Sequence, residues 1–392
     1  MSNISLDWKL ATSSFTALDK FKIGLFLFRE PMWTYGSWVR KYEQMWEKQF
    51  GVKRAIMVSS GSTANELIAL RRKWELQQAG EWPRRNKVVC PVNTWISSVS
   101  PWINHGFEVV FTDVAESNLN MDERHLAKAF ADNPDGSIAT VFYTALLGWV
   151  NDLEKCKEIA ESHNARFLMD NCEASFSSHG SLSSILTFAT CSTSIFFSHF
   201  TSSGTEGGLI FTESQEEAEW YLMARSHGLT RGMPEKYKNP NVHPDFDFHL
   251  LGSNYRSSNL QAYMAGLDFD RALKFSMENR RQLFNRLNEG LNPVKYHHFE
   301  TAEDAIPLAA PILCRTKEER EKAEAALKVN GVMTRPLIGG CLLAHTAFKG
   351  YGNIDDFPVA KWSHNCGFYI GLNPTVTPKM IDRAVKILNE SI

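Results

Sequence analysis

The sequence predicts an α/β fold, a mostly parallel sheet covered by helices and followed by a smaller α+β unit. Three observations carry this. From about residue 52 short β-rich runs alternate with helix-patterned stretches, the order that builds a parallel sheet with crossover helices. After Pro293 the order changes to a compact mixture of strands and helices. The length of 392 residues suffices for one large domain and a smaller one. In order, RAIMV (54–58) reads as a strand, TANELIALRRKWELQQ (63–78) as a helix, and KVVCPV (87–92), EVVFTDV (108–114) and ATVFYT (139–144) as strands. NDLEKCKEIAESHN (151–164) places Leu153, Cys156, Ile159 and Ala160 at helical spacing. ARFLMD (165–170), an apolar run beginning at Ser194 and GLIFT (208–212) are strand-like, which brings the sheet to seven. SSNLQAYMAGLDFDRALKFSMENRRQLFNRLNEGL (257–291) reads as a long, bent helix leaving the large unit. LAAPILC, TKEEREKAEAALKVNG, FYIGL and TPKMIDRAVKILNES then give strand, helix, strand and helix. The expected division is 1–270 and 271–392.

Hydrophobic content of 43% and charged content of 22% are ordinary for a globular protein. A formal net charge of -2 and the absence of any Lys/Arg block argue against a nucleic-acid partner. Cysteines 90, 156, 172, 191, 314, 341 and 366 form no CxxC pair and read as reduced thiols, neither a disulfide frame nor a metal site. The first residues, MSNISLDWKLATSS, lack a basic segment followed by an apolar stretch, and no apolar run is long enough to cross a bilayer. The expectation is a soluble, cytoplasmic protein with no membrane partner.

Three motifs can carry chemistry. VSSGSTANEL (58–67) is a strand, a Ser/Gly turn and a helix start. Its backbone N–H groups and the hydroxyls of Ser60, Ser62 and Thr63 can cradle a phosphate, although an ordinary capped helix would read the same way. FLMDNCEASF (167–176) puts Asp170 at a strand end, where open α/β sheets hold ligand groups; it could keep a pyridinium nitrogen protonated or simply cap the next turn. NTWISSVSP (93–101) offers Trp95 to stack on a planar ring or to pack in the core.

Taken in order with the loop SIFFSHFTSSGTEGG (194–208), these motifs make the chain resemble the DegT/StrS-type sugar aminotransferases and sugar dehydratases, a family of fold-type I pyridoxal phosphate enzymes. WTYGSWVRKYEQMWEKQFGVKRAIMVSSGSTANELIAL (33–70), DVAESNLNMD (113–122), LLGWVNDLEKCKEIAESHNARFLMDNCEA (146–174), NYRSSNLQAYMAGLDFDRA (254–272) and GFYIGLNPTVTPKMIDRAVKIL (367–388) follow in family order. The resemblance implies a seven-stranded, mostly parallel sheet and a cofactor, pyridoxal or pyridoxamine 5'-phosphate. It assigns Gly61, Ser62 and Thr63, beside Ser60, to the cofactor phosphate, Trp95 to ring stacking and Asp170 to the ring nitrogen. Glu173 falls where the family commonly has a Gln near the cofactor hydroxyl. Ser194 matches a phosphate-contacting serine. Asn254 matches an asparagine that reaches the partner subunit's phosphate, which implies a homodimer with shared sites.

Two departures set the subclass. SGSTANEL and TRPLIGGCLLAH (334–345) resemble the 3-dehydratase branch more than the transaminases. The lysine that holds the cofactor covalently is missing: none occurs from residue 158 to residue 235. Counting forward from Ser194 puts His199 at its position, with one extra residue in the turn TSSGT. Counting back from Glu206 without a gap puts Phe200 there. Histidine cannot hold the cofactor covalently but can accept and return a proton near neutral pH. The resemblance therefore implies a nucleotide-sugar 3-dehydratase with L-glutamate as amino donor; the scattered cysteines match no iron–sulfur ligand spacing, so no cluster is expected. A sugar aminotransferase using another base, and a non-catalytic cofactor- or nucleotide-sugar-binding homologue, are the alternatives.

Overall fold

The computed structural model describes residues 6–201 and 204–392. Its main sheet has seven strands: β1 (Arg54–Val58), β2 (Lys87–Pro91), β3 (Glu108–Thr112), β4 (Ile138–Thr144), β5 (Arg166–Asp170), β6 (Cys191–Ser194) and β7 (Gly208–Thr212). They lie in the order β1-β7-β6-β5-β4-β2-β3. Neighbours pair in parallel from β3 to β6, and β7 runs antiparallel between β6 and β1. The α/β class and the mostly parallel seven-stranded sheet are as the sequence predicts. The central strands are buried along nearly their whole length, because helices cover both faces. On one face Tyr42, Trp46, Met57, Tyr143 and Phe211 share a core cluster; on the other Ile56, Ile68, Trp102, Phe142 and Ile210 share another.

The three-stranded sheet β8 (Ala309–Leu313), β9 (Thr334–Pro336) and β10 (Gly367–Gly371) is antiparallel, in the order β8-β10-β9. Its cluster includes Phe284, Leu327, Phe368 and Leu388, and also Trp8. Trp8 Nε1 donates to the Gly371 carbonyl at 2.8 Å, and its backbone bridges to Val332. The N-terminal strap thus packs on the C-terminal sheet.

Two elements differ from the sequence reading. The strand before the loop is Cys191–Ser194, and the apolar run lies beyond its end, with Phe196 and Phe197 exposed. A polar strand suits this place because its hydroxyls find buried partners, such as Thr190 Oγ1 on Glu217 at 2.7 Å just before it and Ser192 Oγ on Asn65 at 2.5 Å within it. The long helix is Asn259–Phe275, a π-turn at Ser276–Arg280, then Arg281–Gly290, so its irregularity is a widened turn. It runs unbroken through residue 270.

Candidate active site

The carboxyl ends of the parallel strands open into a cleft of about 670 Å³. Ligands of open α/β sheets bind at this edge. Of the sequence-predicted residues, Ser60, Gly61, Ser62, Trp95, Asp170, Glu173, Ser194 and His199 line it. Thr63 and Asn254 do not.

The helix α3 (Gly61–Gln78) starts at the cleft. Ser60 caps it: Thr63 N–H donates to Ser60 Oγ at 3.1 Å, and Ser60 N–H donates to Thr63 Oγ1 at 2.9 Å. Within the turn both groups of Thr63 are engaged in this capping box, and its hydroxyl also donates to the Ser60 carbonyl at 2.9 Å. The Gly61 and Ser62 N–H groups remain at the helix start, where the dipole favours an anion. The turn is packed tightly from below. A Cβ at Gly208 would stand 2.4 Å from the Ser60 carbonyl oxygen, and one at Gly61 would stand 2.8 Å from Ser194 Cβ. Glycine at both positions lets β6, β7 and the turn converge.

Asp170 ends β5 and is buried. Its Oδ2 accepts from Asn65 Nδ2 at 2.7 Å and Ser98 Oγ at 2.8 Å; its Oδ1 accepts from Cys172 N–H at 3.0 Å. A carboxylate oxygen takes about two hydrogen bonds, so Oδ1 can accept one more, a place for which the Cys172 thiol beside it competes. That single position, beside an indole (Trp95, 54% exposed), fits one ring N–H of a pyridoxal-type cofactor. With the helix start for its phosphate, the donor set fits such a cofactor.

Glu173 accepts from Leu147 N–H at 2.7 Å. Leu147 is held at φ 64, a left-handed conformation that costs a non-glycine residue energy and aims this N–H. Burial pushes the Glu173 carboxyl up to about 8, against the pull of that hydrogen bond and with a further push from Asp170. At neutral pH the carboxyl is protonated and has an O–H to donate.

His199 and Phe200 part company. Phe200 is buried on Phe176, ring centroids 5.1 Å apart, and is absent from the lining of the large cleft. His199 lines the cleft, and its Nδ1 lies 2.8 Å from the Cys172 carbonyl oxygen. A carbonyl only accepts, so Nδ1 carries the proton and Nε2 keeps its lone pair. Burial lowers the imidazole below its ordinary value, which keeps it neutral near pH 7; the Cys172 hydrogen bond and the Asp170 charge oppose this, and the Arg280 charge adds to it. Ser202 and Ser203, within the turn TSSGT, lie outside the described residues.

Asn254 is exposed, and its side chain accepts weakly from Arg256 N–H at 3.4 Å. Sequence reasoning missed Asn65, Ser98, Arg335, Tyr369 and the strap residues Lys9, Leu10 and Ala11, all around the cleft. Asn65 was within reach, since it stands one helical turn after Gly61 and shares its face. The strap gave no signal, because its place depends on Trp8 docking on a sheet over 300 residues away.

A sheet edge that presents an anion-binding helix start, a stacking surface and one strand-end carboxylate is the arrangement of the aminotransferase fold. The chain belongs to the DegT/DnrJ/EryC1/StrS aminotransferase family, whose model matches residues 27–389. It is 27% identical to the GDP-4-keto-6-deoxy-D-mannose 3-dehydratase of Escherichia coli O55:H7 (strain CB9615 / EPEC), over 93% of this chain and 95% of that protein. It is 26% identical to the enzyme of the same name from Yersinia pseudotuberculosis, over the whole of both chains. A solved structure described as E coli GDP-4-keto-6-deoxy-D-mannose-3-dehydratase with bound hydrated PLP superposes with a TM-score of 0.86 at 25% identity, covering 97% of this chain and 99% of that one.

Proposed function

We propose that this chain is a pyridoxal/pyridoxamine phosphate-dependent nucleotide-sugar 3-dehydratase. It removes the C3 hydroxyl of a 4-keto-6-deoxy sugar, with His199 as acid and base and L-glutamate as amino donor. The observation that carries the reading is a neutral histidine in the cleft of Asp170 whose Nε2 has no partner among the described residues, where Lys9 is also the only lysine lining the cleft among those residues. The relatives named as 3-dehydratases support it. Net, the sugar exchanges its C3 hydroxyl for hydrogen, while glutamate becomes 2-oxoglutarate and ammonia, which balances atoms and electrons.

Gly61 and Ser62 would hold the cofactor phosphate with Ser60 and Ser194, Trp95 would cover the ring, and Asp170 would hold its nitrogen protonated. When bound, the cofactor supplies an electron sink next to the sugar carbonyl. His199 Nε2 accepts a proton in the cleft, and the imidazolium then has a proton to give the departing hydroxyl. The protonated Glu173 can donate to the cofactor hydroxyl, which accounts for a Glu where the family commonly has a Gln: both offer a donor.

The working unit in this reading is a cytoplasmic homodimer in which Asn254 serves the neighbouring site, each chain divided near residue 270 into a large and a small unit. No helix among the described residues is long and apolar enough to cross a membrane.

The test is His199→Asn, which keeps polarity and approximate size. Release of ammonia and 2-oxoglutarate from glutamate and a GDP- or CDP-4-keto-6-deoxy sugar should fall by about 10²–10⁴-fold, while the folded protein still binds the cofactor. Turnover at the wild-type rate would place the base elsewhere.

A further inference from the structure

Beside the cleft lies a smaller cavity of about 180 Å³, and His199 lines both. Arg280 lines only the smaller one. It is 5% exposed and comes from the last position of the π-turn Ser276–Arg280. Its hydrogen-bond partners are neutral: Nε donates to Ser276 Oγ at 3.2 Å, and Nη1 to the carbonyls of Leu308 and, at 3.5 Å, Pro307. The guanidinium lies 5.0 Å from the centroid of the Phe200 ring, the residue next to His199. Among the described residues no carboxylate forms an ion pair with it, although burying an unpaired cation is costly. Hydrogen bonding to these neutral acceptors needs a donor but not a charge, so a neutral donor would serve a purely structural role.

We infer that Arg280 is a positioning residue for His199: its buried charge, held by neutral acceptors, biases the neighbouring imidazole toward the neutral form that can take a proton. The inference rests on the reading of His199 as the base. Arg280 is itself lowered by burial to about 9, which leaves it cationic at neutral pH. Its charge acts in the same direction as burial on His199.

The other groups around His199 supply no equivalent charge. The loop after β5 contributes Asp170, which favours the imidazolium, Cys172, whose thiol burial keeps protonated, and Glu173, neutral below about 8. Lys9, Glu206, Arg335 and Tyr369 also line the large cleft; Asp170 and Arg280 are the charges that act on the His199 ring. In the smaller cavity Arg271 pairs with Asp19 at 3.0 Å and lies 3.8 Å from Asp268, so its charge is locally balanced.

The experiment is an NMR titration of the His199 ring in full-length protein carrying isotope-labelled histidine, with the signal assigned from His199→Asn. In Arg280→Met the ionisation midpoint should rise by about half a pH unit or more, and in Arg280→Lys it should stay near wild type. The acid limb of the kcat/KM profile should move with it. An unchanged midpoint in Arg280→Met, or an Arg280→Lys protein that titrates like Arg280→Met, would overturn the inference. Should Arg280→Met not fold, Arg280→Gln, which retains a donor for the Leu308 carbonyl without the charge, gives the same comparison. Failure of the base reading is separate, since it appears as full turnover in His199→Asn whatever the midpoint in the Arg280 variants.

Discussion

His199 Nδ1 and the carbonyl oxygen of Cys172 stand 2.8 Å apart, tying the loop after β6 to the loop after β5. Cys172 N–H in turn donates to Asp170 Oδ1. The backbone of one residue, Cys172, therefore holds both the imidazole and the carboxylate assigned to the cofactor ring. The geometry allows proton transfer at Nε2 but no covalent attachment.

The first prediction follows from that difference. Borohydride treatment of wild-type protein loaded with pyridoxal phosphate should leave no reduced cofactor on any peptide. In His199→Lys, mass spectrometry should find it on residue 199, because an amine placed there can condense with the cofactor aldehyde. Reduced cofactor on a lysine of the wild-type chain would contradict the assignment of the site.

A second prediction concerns Glu173. Its carboxyl titrates at about 8 in the folded protein, above the ordinary 4.5. Between these values the folded state binds the proton more tightly than the unfolded chain, so stability contributed by this group is present below about 4.5 and is lost as pH rises through about 8. Glu173→Gln keeps an acceptor for Leu147 N–H and removes the titration. The variant should therefore gain stability over wild type as pH rises from 5 to 9, by roughly 1–3 kcal/mol after allowance for water in the cleft. Urea midpoints measured across that range check the sign. Parallel curves for the two proteins would mean that Glu173 is ionised throughout.

Much of this architecture is legible in the sequence, for reasons the structure makes plain. RAIMV and GLIFT are read to the residue because they are buried strands bounded by turn residues. The Ser/Gly turn and Asp170 are legible as strand ends, because each follows an apolar run that stops at the carboxyl edge of the sheet, where the cleft opens. β6 is not, since CSTS has no hydrophobic signal and is a strand only because β5 and β7 flank it. Arg280 falls at helical spacing with the buried Ser276 and Phe284, but a charged residue there gives no apolar signal that it faces inward. Thr63 is legible as a helix-start residue, and the structure adds that its hydroxyl closes the capping box with Ser60.

The third prediction uses the tight approach of β7 to the phosphate turn. Gly208→Ala would drive a methyl into the Ser60 carbonyl and the Gly61 nitrogen, both backbone atoms that cannot rotate away. The turn must shift, and overpacking of this kind costs about 1–3 kcal/mol. Thermal unfolding should show that loss. Absorbance titration should show pyridoxal phosphate binding weakened by at least about tenfold, as the Gly61 and Ser62 N–H groups lose their alignment. Unchanged affinity would remove this turn from the cofactor site.

The last prediction tests the shared site. In one chain Asn254 is exposed and away from the cleft lining, so any contact with a cofactor phosphate must be made across a two-fold axis. Asn254→Ala should lower cofactor affinity by about tenfold, the worth of one hydrogen bond to a charged group. Complementation separates this from a local effect. His199→Asn lacks the base but presents an intact Asn254; Asn254→Ala has the base but presents none. In a mixed dimer one site combines the His199 of one chain with the Asn254 of the other and is complete, while the second site carries both lesions. At cofactor concentrations too low to load Asn254→Ala alone, the dissociated and reassociated mixture should turn over substrate faster than either parent. If the mixture gave only the sum of the parents, Asn254 would act within its own chain or not at all.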